Sequence, residues 1–499
     1  MDFIHNLALG FSVAVSPSSL LYCLLGVLLG TLIGVLPGIG PIATIALLLP
    51  VSFTLSPPDA IIMLAAIYYG AQYGGSTTAI LVNVPGESSA VVTAVDGYKM
   101  ARQGRAGAAL GMAAIASFIA GCIATVVIAI AAPLLSSVAL EFRSEDYFSL
   151  MVFGLVGAVV LAHGSLARSA PMVILGLLLG LVGEDANSGI PRFDFGLPDL
   201  TDGISFVALT VGLFGVSEII RSLEQPDPPA VFKTKLRGLL PNMHDLRISA
   251  ASILRGTAVG SVLGLLPGGG ALLSSFSAYT VEKKFASNPK HFGAGDIRGV
   301  AAPEAANNAS AQTAFIPLLT LGIPASPVMA LMIGALMLKG VTPGPQVITD
   351  RPDLFWGLVA SMWIGNLMLI VLNLPLVGIW VRLVSIPYRY LSLTIMLFCA
   401  IGAYSVTRNV AEIYTIVFFG ALGYLLLKLK CEPAPLVLGF ILGPLMEEHL
   451  RRALLISEGN PSIFFSRPIS SFFLLASLAL LISVIFPSIR KKRELAMQE

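Results

Sequence analysis

Two polar clusters interrupt an otherwise oily sequence. One runs through Tyr68, Gln72, Ser76, Thr77 and Thr78, then from Asn83 to Ser88; the other holds Glu304, Asn307, Asn308, Ser310, Gln312 and Thr313, then Gly322 to Pro327. Amides and hydroxyls taken out of water are costly unless hydrogen-bonded. So many together point to a wet cavity or a bound solute, with helix-to-helix contact through small polar residues as the plainer alternative. A second feature is a pair of Pro-Gly breaks, Leu36-Pro37-Gly38-Ile39-Gly40-Pro41 and Leu266-Pro267-Gly268-Gly269-Gly270. Proline removes a backbone donor and clashes with the preceding turn, and glycine admits backbone angles other residues avoid. Each break should end one helix and start another. The N-terminus of a half-helix offers free N–H groups and partial positive charge to a carboxylate. Unwound carbonyls with Asn, Ser and Thr oxygens suit a hard cation such as Na⁺. Glu87 and Glu304 are the acidic residues nearest the breaks. Buried in a membrane they would be functional; both are expected at the water interface, as solvated surface groups. Lys99, Arg102 and Arg105 read as a cytoplasmic loop rather than a substrate clamp.

Enzyme chemistry finds little support. The five histidines (His5, His163, His244, His291, His449) are far apart, and no HExxH, GxSxG or GxxxxGK[ST] occurs. Without the last of these, ATP cannot drive work through this chain. The four cysteines form no CxxC and read as small core hydrophobes. No structural metal and no cofactor are expected beyond a coupling cation, Na⁺ or H⁺, near Gly38, Ser76 and Asn307.

Composition names the solvent that the elements must face. Of 499 residues 56% are hydrophobic and 12% charged, with mean hydropathy +0.86; soluble domains carry about 25% charged residues. No Lys, Arg, Asp or Glu lies between Asp2 and Asp59, a stretch long enough to enter a bilayer and return. The N-terminus lacks a basic run, so no cleaved signal is expected. Net charge is +2, which leaves no basic stripe for nucleic acid.

The chain reads as one unit written twice. Gly34-Val-Leu-Pro-Gly-Ile-Gly40 recurs as Gly264-Leu-Leu-Pro-Gly-Gly-Gly270, an offset of 230. Val84-Pro85-Gly86 recurs as Ile323-Pro324-Ala325, offset 239, and Tyr147-Phe-Ser-Leu150 as Tyr390-Leu-Ser-Leu393, offset 243. The expected divisions are repeat one, 1–225; a polar cytoplasmic linker, 226–249; repeat two, 250–457; an extra C-terminal membrane helix, 468–487; and a basic cytoplasmic tail, 488–499. If each repeat crosses an odd number of times the two are inverted, and 22 of the 30 Lys and Arg then fall on the cytoplasmic side, as positive-inside bias requires. The fold class expected is an all-α polytopic membrane protein. It has two inverted-topology repeats of about five crossings, each with a re-entrant or broken segment, and the extra helix brings the total to about 11–12 spans. Irregular backbone survives in lipid only around a cavity, so matched breaks point to a transporter site.

The run Gly34 to Pro41, the stretch Tyr69-Gly-Ala-Gln-Tyr-Gly-Gly-Ser-Thr-Thr78, and Pro85-Gly-Glu87 through Asp96-Gly-Tyr98 resemble the large membrane (permease) subunit of the bacterial tripartite tricarboxylate transporter family. Pro303-Glu-Ala-Ala-Asn-Asn308 with Gly322-Ile-Pro324 resembles its second-half signature. The resemblance implies a multi-pass inner-membrane secondary transporter that works with a small membrane subunit of about four spans and a periplasmic solute-binding protein. It would import an organic di- or tricarboxylate on a cation gradient. Ala325-Ser326-Pro327 departs from a small residue and Asn in many relatives, which leaves the substrate open. Carried across with the breaks, the site candidates are Pro37, Gly38, Gly40, Gln72, Ser76, Thr77, Pro85, Gly86, Glu87, Pro267, Gly268, Gly270, Asn307, Asn308, Gln312 and Pro324. A receptor-independent permease, or a lipid or solute flippase of similar architecture, is the alternative.

Overall fold

The computed structural model describes residues 3–36, 40–83, 85–161, 166–185, 188–224, 240–266, 270–286, 288–383, 396, 404 and 409–485. Pro37, Gly38, Pro267 and Gly268 lie outside the described residues, as do most of the linker and the basic tail.

Helices carry the fold. The first half holds α1 (Phe3–Ala14), α2 (Pro17–Gly34), α3 (Pro41–Ser52), α4 (Pro57–Val82), α5 (Val91–Arg102), α6 (Ala106–Ala139), α7 (Ser144–Leu161) and α8 (Leu166–Gly180). A helical run over 206–223 (α9) follows, its middle Val211–Val216 wound as a π-helix. The second half holds α10 (Met243–Gly264), α11 (Gly270–Phe285), α12 (Arg298–Thr313), α13 (Phe315–Leu321), α14 (Pro327–Leu338), α15 (Pro352–Asn373) and α16 (Val377–Leu383). Beyond these come α17 (Val410–Lys428), α18 (Ala434–Ile456) and α19 (Pro468–Ile485). Among the described residues, the strands form one short hairpin, pairing Gly183 with Arg192 and Glu184 with Pro191.

Four described helices are long and apolar enough to cross a membrane: α2, α6, α15 and α17. Outer helices leave large apolar side chains exposed, among them Ile130 and Leu134 on α6, Phe418 on α17 and Leu475 on α19, as lipid-facing surface would.

Two helices sit at the centre. Every residue of α4 from Asp59 to Val82 is buried, and every residue of α12 from Gly299 to Thr313. A helix covered all round is a core helix, and these two carry most of both polar clusters. Both start and stop for local reasons. Ser56 Oγ accepts the Asp59 amide at the α4 N-terminus, with Pro57 at the first helical position. Asn83 ends α4 in the left-handed region at φ +57°, and Gly322 ends α13 there at φ +68°.

Glycine brings neighbours close. Gly26, Gly30 and Gly34 stand four residues apart on α2, so they share a face. A Cβ on Gly30 would lie 2.4 Å from the Ile67 carbonyl oxygen, and one on Gly34 2.3 Å from that of Ala71. Gly256, Gly260 and Gly264 repeat this on α10, where Cβ atoms on the first two would lie 2.3 and 2.2 Å from the carbonyl oxygens of Ala302 and Ala306. Thus α2 lies tight on α4, and α10 on α12. The last helices cross over between halves: α8 packs on α18, with Gly176 against the Leu436 carbonyl, and α17 packs on α9, with Gly423 against that of Leu213.

Candidate functional site

The Glu304 carboxylate is the centre of the buried polar cluster. Proline at position 303 and alanines at 301, 302, 305 and 306 give α12 a slim waist, which lets α4, α5 and α6 approach. Each sends a hydroxyl: Ser76 Oγ donates at 2.7 and 2.8 Å, Thr93 Oγ1 at 2.5 Å and Ser117 Oγ at 3.4 Å. Glu304 is 0% exposed. Among the described residues no Lys or Arg forms an ion pair with it. Hydroxyl donors satisfy the oxygens but bring no positive charge, and an uncompensated buried charge is strongly unfavourable.

A second carboxylate lies close by. Glu87, 8% exposed, follows the end of α4, and Asn307 Nδ2 approaches its Oε1 at 3.5 Å, the limit of a hydrogen bond. Ser89 Oγ donates to Gln72 Oε1 at 3.1 Å. The turn that carries Glu87 is pressed onto the first break's helix end: a Cβ on Gly86 would lie 1.9 Å from the Gly34 carbonyl oxygen, and one on Gly75 2.9 Å from Glu87 Cγ. Only glycine fits there. The expectation that Glu87 and Glu304 are solvated surface groups is corrected: both are buried, Glu304 among α4, α5, α6 and α12, and Glu87 against α4 and α12.

A cavity of about 20 Å³ opens between Glu304, Ser76, Thr77, Ser117 and Asn373. That is room for one water-sized particle. Asn373 donates its Nδ2 to the Leu369 carbonyl at 2.9 Å and leaves Oδ1 without a partner. Leu110, Ala113, Ala114 and Val377 line the apolar side of this cavity.

The sequence-read candidates divide in two. Gln72, Ser76, Thr77, Gly86, Glu87, Asn307 and Asn308 gather at this centre, and Gln312 lies two turns further along α12. Gly40 and Gly270 instead open α3 and α11. There Thr44 Oγ1 donates to the Gly40 carbonyl at 3.0 Å and Ser274 Oγ to that of Gly270 at 2.8 Å. Among the described residues no hydrogen bond joins Pro85 or Pro324 to the carboxylates. Thr93, Ser117 and Asn373 join this centre from outside the sequence candidates. Ser117 carried a signal: it stands four and eight residues before Gly121 and Thr125 on an Ala-rich helix.

Asp96, from the Asp96-Gly-Tyr98 motif, does different work. Its Oδ1 accepts the amides of Gly293 and Gly295 at 2.8 Å and of Asp296 at 2.9 Å; its Oδ2 accepts the Tyr279 hydroxyl at 2.9 Å. Gly293 and Gly295 reach it with φ of +83° and +106°, angles that favour glycine. The carboxylate thus ties α5 to the segment before α12. Beside it, burial opposes ionisation of Asp296, but the Arg298 guanidinium at 2.7 Å holds that carboxyl below its usual range.

A family model described as the tripartite tricarboxylate transporter TctA family matches residues 20–438. An Agrobacterium vitis relative, "Uncharacterized 52.8 kDa protein in TAR-I ttuC' 3'region", is 56% identical over 494 residues, 99% of this chain and 98% of the relative. A second from the same organism, "Uncharacterized protein in TAR-II ttuC' 3'region", is 58% identical over 235 residues, 47% of this chain and 97% of its own length. No solved structure matches the chain.

Proposed function

Since the chain belongs to the tripartite tricarboxylate transporter TctA family, a transporter family, we propose that it is a permease subunit that imports an organic carboxylate on a cation gradient. The chain is a multi-pass membrane protein, and the family's tripartite character implies other subunits. In the proposed assembly it lies in the inner membrane beside a small membrane subunit and receives its solute from a periplasmic binding protein.

One observation carries the coupling: Glu304 is fully buried, takes three hydroxyl donors, and borders a water-sized cavity whose lining mixes Ser76, Thr77, Ser117 and Asn373 with apolar Leu110, Ala113, Ala114 and Val377 and holds no cationic side chain. A carboxylate in that setting is favourable only with Na⁺ or H⁺ bound, so loading the ion and holding the site closed become one event. The solute's carboxylate would meet the helix N-termini that follow the breaks, a setting that favours anions.

The two-repeat, inverted arrangement belongs to the same proposal. It is supported by the glycine triplets on α2 and α10 at an offset of 230 and by the left-handed caps at 83 and 322. The exchange of α8 and α17 onto the other half's last helix supports it as well.

The test is uptake into proteoliposomes holding this chain, the small subunit and the binding protein, with Na⁺ and pH gradients imposed separately. One gradient is expected to drive accumulation, and Glu304→Gln to reduce it at least a hundredfold while the protein still inserts. Gradient-driven uptake that survives E304Q would remove the ion site. Full uptake without the binding protein would favour a receptor-independent permease.

A further inference from the structure

The face of α12 that carries Glu304 continues with Asn308 and Gln312, at steps of four residues. Ser117, Gly121 and Thr125 match these steps on α6. At a rise of about 1.5 Å per residue the ladder runs roughly 12 Å. Its rungs are hydrogen-bonded in pairs: Asn308 Nδ2 donates to Ser117 Oγ at 2.7 Å, and Thr125 Oγ1 to Gln312 Oε1 at 2.9 Å. The middle rung has no side chain of its own on α6. There the amide of Asn366, from α15, fills the space over Gly121, where a Cβ would stand 2.6 Å from Nδ2 and 2.8 Å from Oδ1.

The ladder is incomplete. Asn366 is fully buried and neither end of its amide has a hydrogen-bond partner; Gln312 Nε2 and Asn308 Oδ1 are likewise unmatched and fully buried. Exchanging O and N of the Asn366 amide cures nothing, because both atoms are orphaned. Natural interiors hold few such groups, and a leucine, with the same number of side-chain heavy atoms, would avoid the cost. Donors and acceptors are both left over, so a partner for them must itself both accept and donate: a water, a hydroxyl or a protonated carboxyl group.

We propose that Asn366, with Gln312 and Asn308, is a solute subsite that hydrogen-bonds the polar end of the carried carboxylate, beyond the Glu304 ion site. The subsite rests on the transporter reading above. In this closed packing α6 and α15 meet over it; separation at the Gly121–Asn366 seam would admit the solute and satisfy the amides together.

The test uses the full chain with its partner subunits. Radiolabelled succinate, malate and citrate serve as probes in the proteoliposome assay, beside the thermal midpoint of the purified protein. Asn366→Leu is expected to keep or raise the midpoint, because it removes unmatched polar atoms. It is also expected to lower uptake at sub-saturating solute at least tenfold, through a raised KM, with ion dependence unchanged. A lowered midpoint would make Asn366 a packing residue and overturn the subsite. So would an unchanged KM at an unchanged midpoint. If E304Q loses ion-driven uptake while N366L transports normally, the transporter reading stands and the subsite falls. If the wild-type protein takes up none of the probes, the carboxylate reading and the subsite fall together.

Discussion

A carboxylate surrounded by hydroxyls is held in place by donors that rotate and lose nothing when a cation replaces them. That makes Ser76 and Thr93 good partners for the proposed ion site, where arginine would hold the charge permanently. Conservative changes should separate these roles. Ser76→Ala is expected to weaken ion dependence, seen as a several-fold higher ion concentration for half-maximal uptake, with the midpoint nearly unchanged. Asp96→Asn should do the reverse: it weakens hydrogen bonds to a charged acceptor, each worth about 1.5–3 kcal/mol, and its expected readout is a midpoint lowered by several degrees. Much of the site was legible as residue types. Gln72, Ser76, Asn307 and Asn308 stood out because amides and hydroxyls are rare in oily sequence. Burial of Glu304 was not legible, because Arg298 lies only six residues away and suggests a water boundary. Its partners, moreover, are 187 to 228 residues distant in sequence. Only folding brings them in.

At the scale of elements, the matched breaks were visible as Pro-Gly motifs, and described helices end and restart on both sides of each. The glycine triplets on α2 and α10 are a further signal, since a four-residue spacing of small residues is a known signature of close helix contact. Apolar composition hid them, since glycine is common in membrane helices. Their effect is testable by size. Gly30→Val and Gly260→Val each push a side chain into backbone, which cannot yield as a side-chain tip can. Each is expected to cost more than the roughly 1–3 kcal/mol of ordinary overpacking, read as loss of monodisperse protein on size-exclusion chromatography. Gly40 and Gly270 open equivalent helices yet differ: Gly40 has φ −77° and Gly270 φ +51°, both with open space at Cβ. Gly40→Ala should therefore leave the midpoint unchanged, while Gly270→Ala should lower it by about 1 kcal/mol equivalent. Equal shifts would show that backbone angle is not what distinguishes them.

Across the whole molecule, the polar centre is assembled from both halves. Ser76, Thr93 and Ser117 come from the first, Glu304 and Asn373 from the second. Ion pairs between connecting segments and helices add further ties, such as Arg105 to Asp245 at 2.9 Å and Arg192 to Glu447 at 2.8 Å. The exchange of closing helices has a consequence for how the polypeptide can be divided. Because α8 finds its partner in α18 and α17 finds its partner in α9, neither segment is autonomous. Two separately translated pieces, 1–225 and 240–499, should each be degraded when made alone and accumulate when made together. The split protein would then recover uptake without any covalent join, as interlocked hands hold without glue.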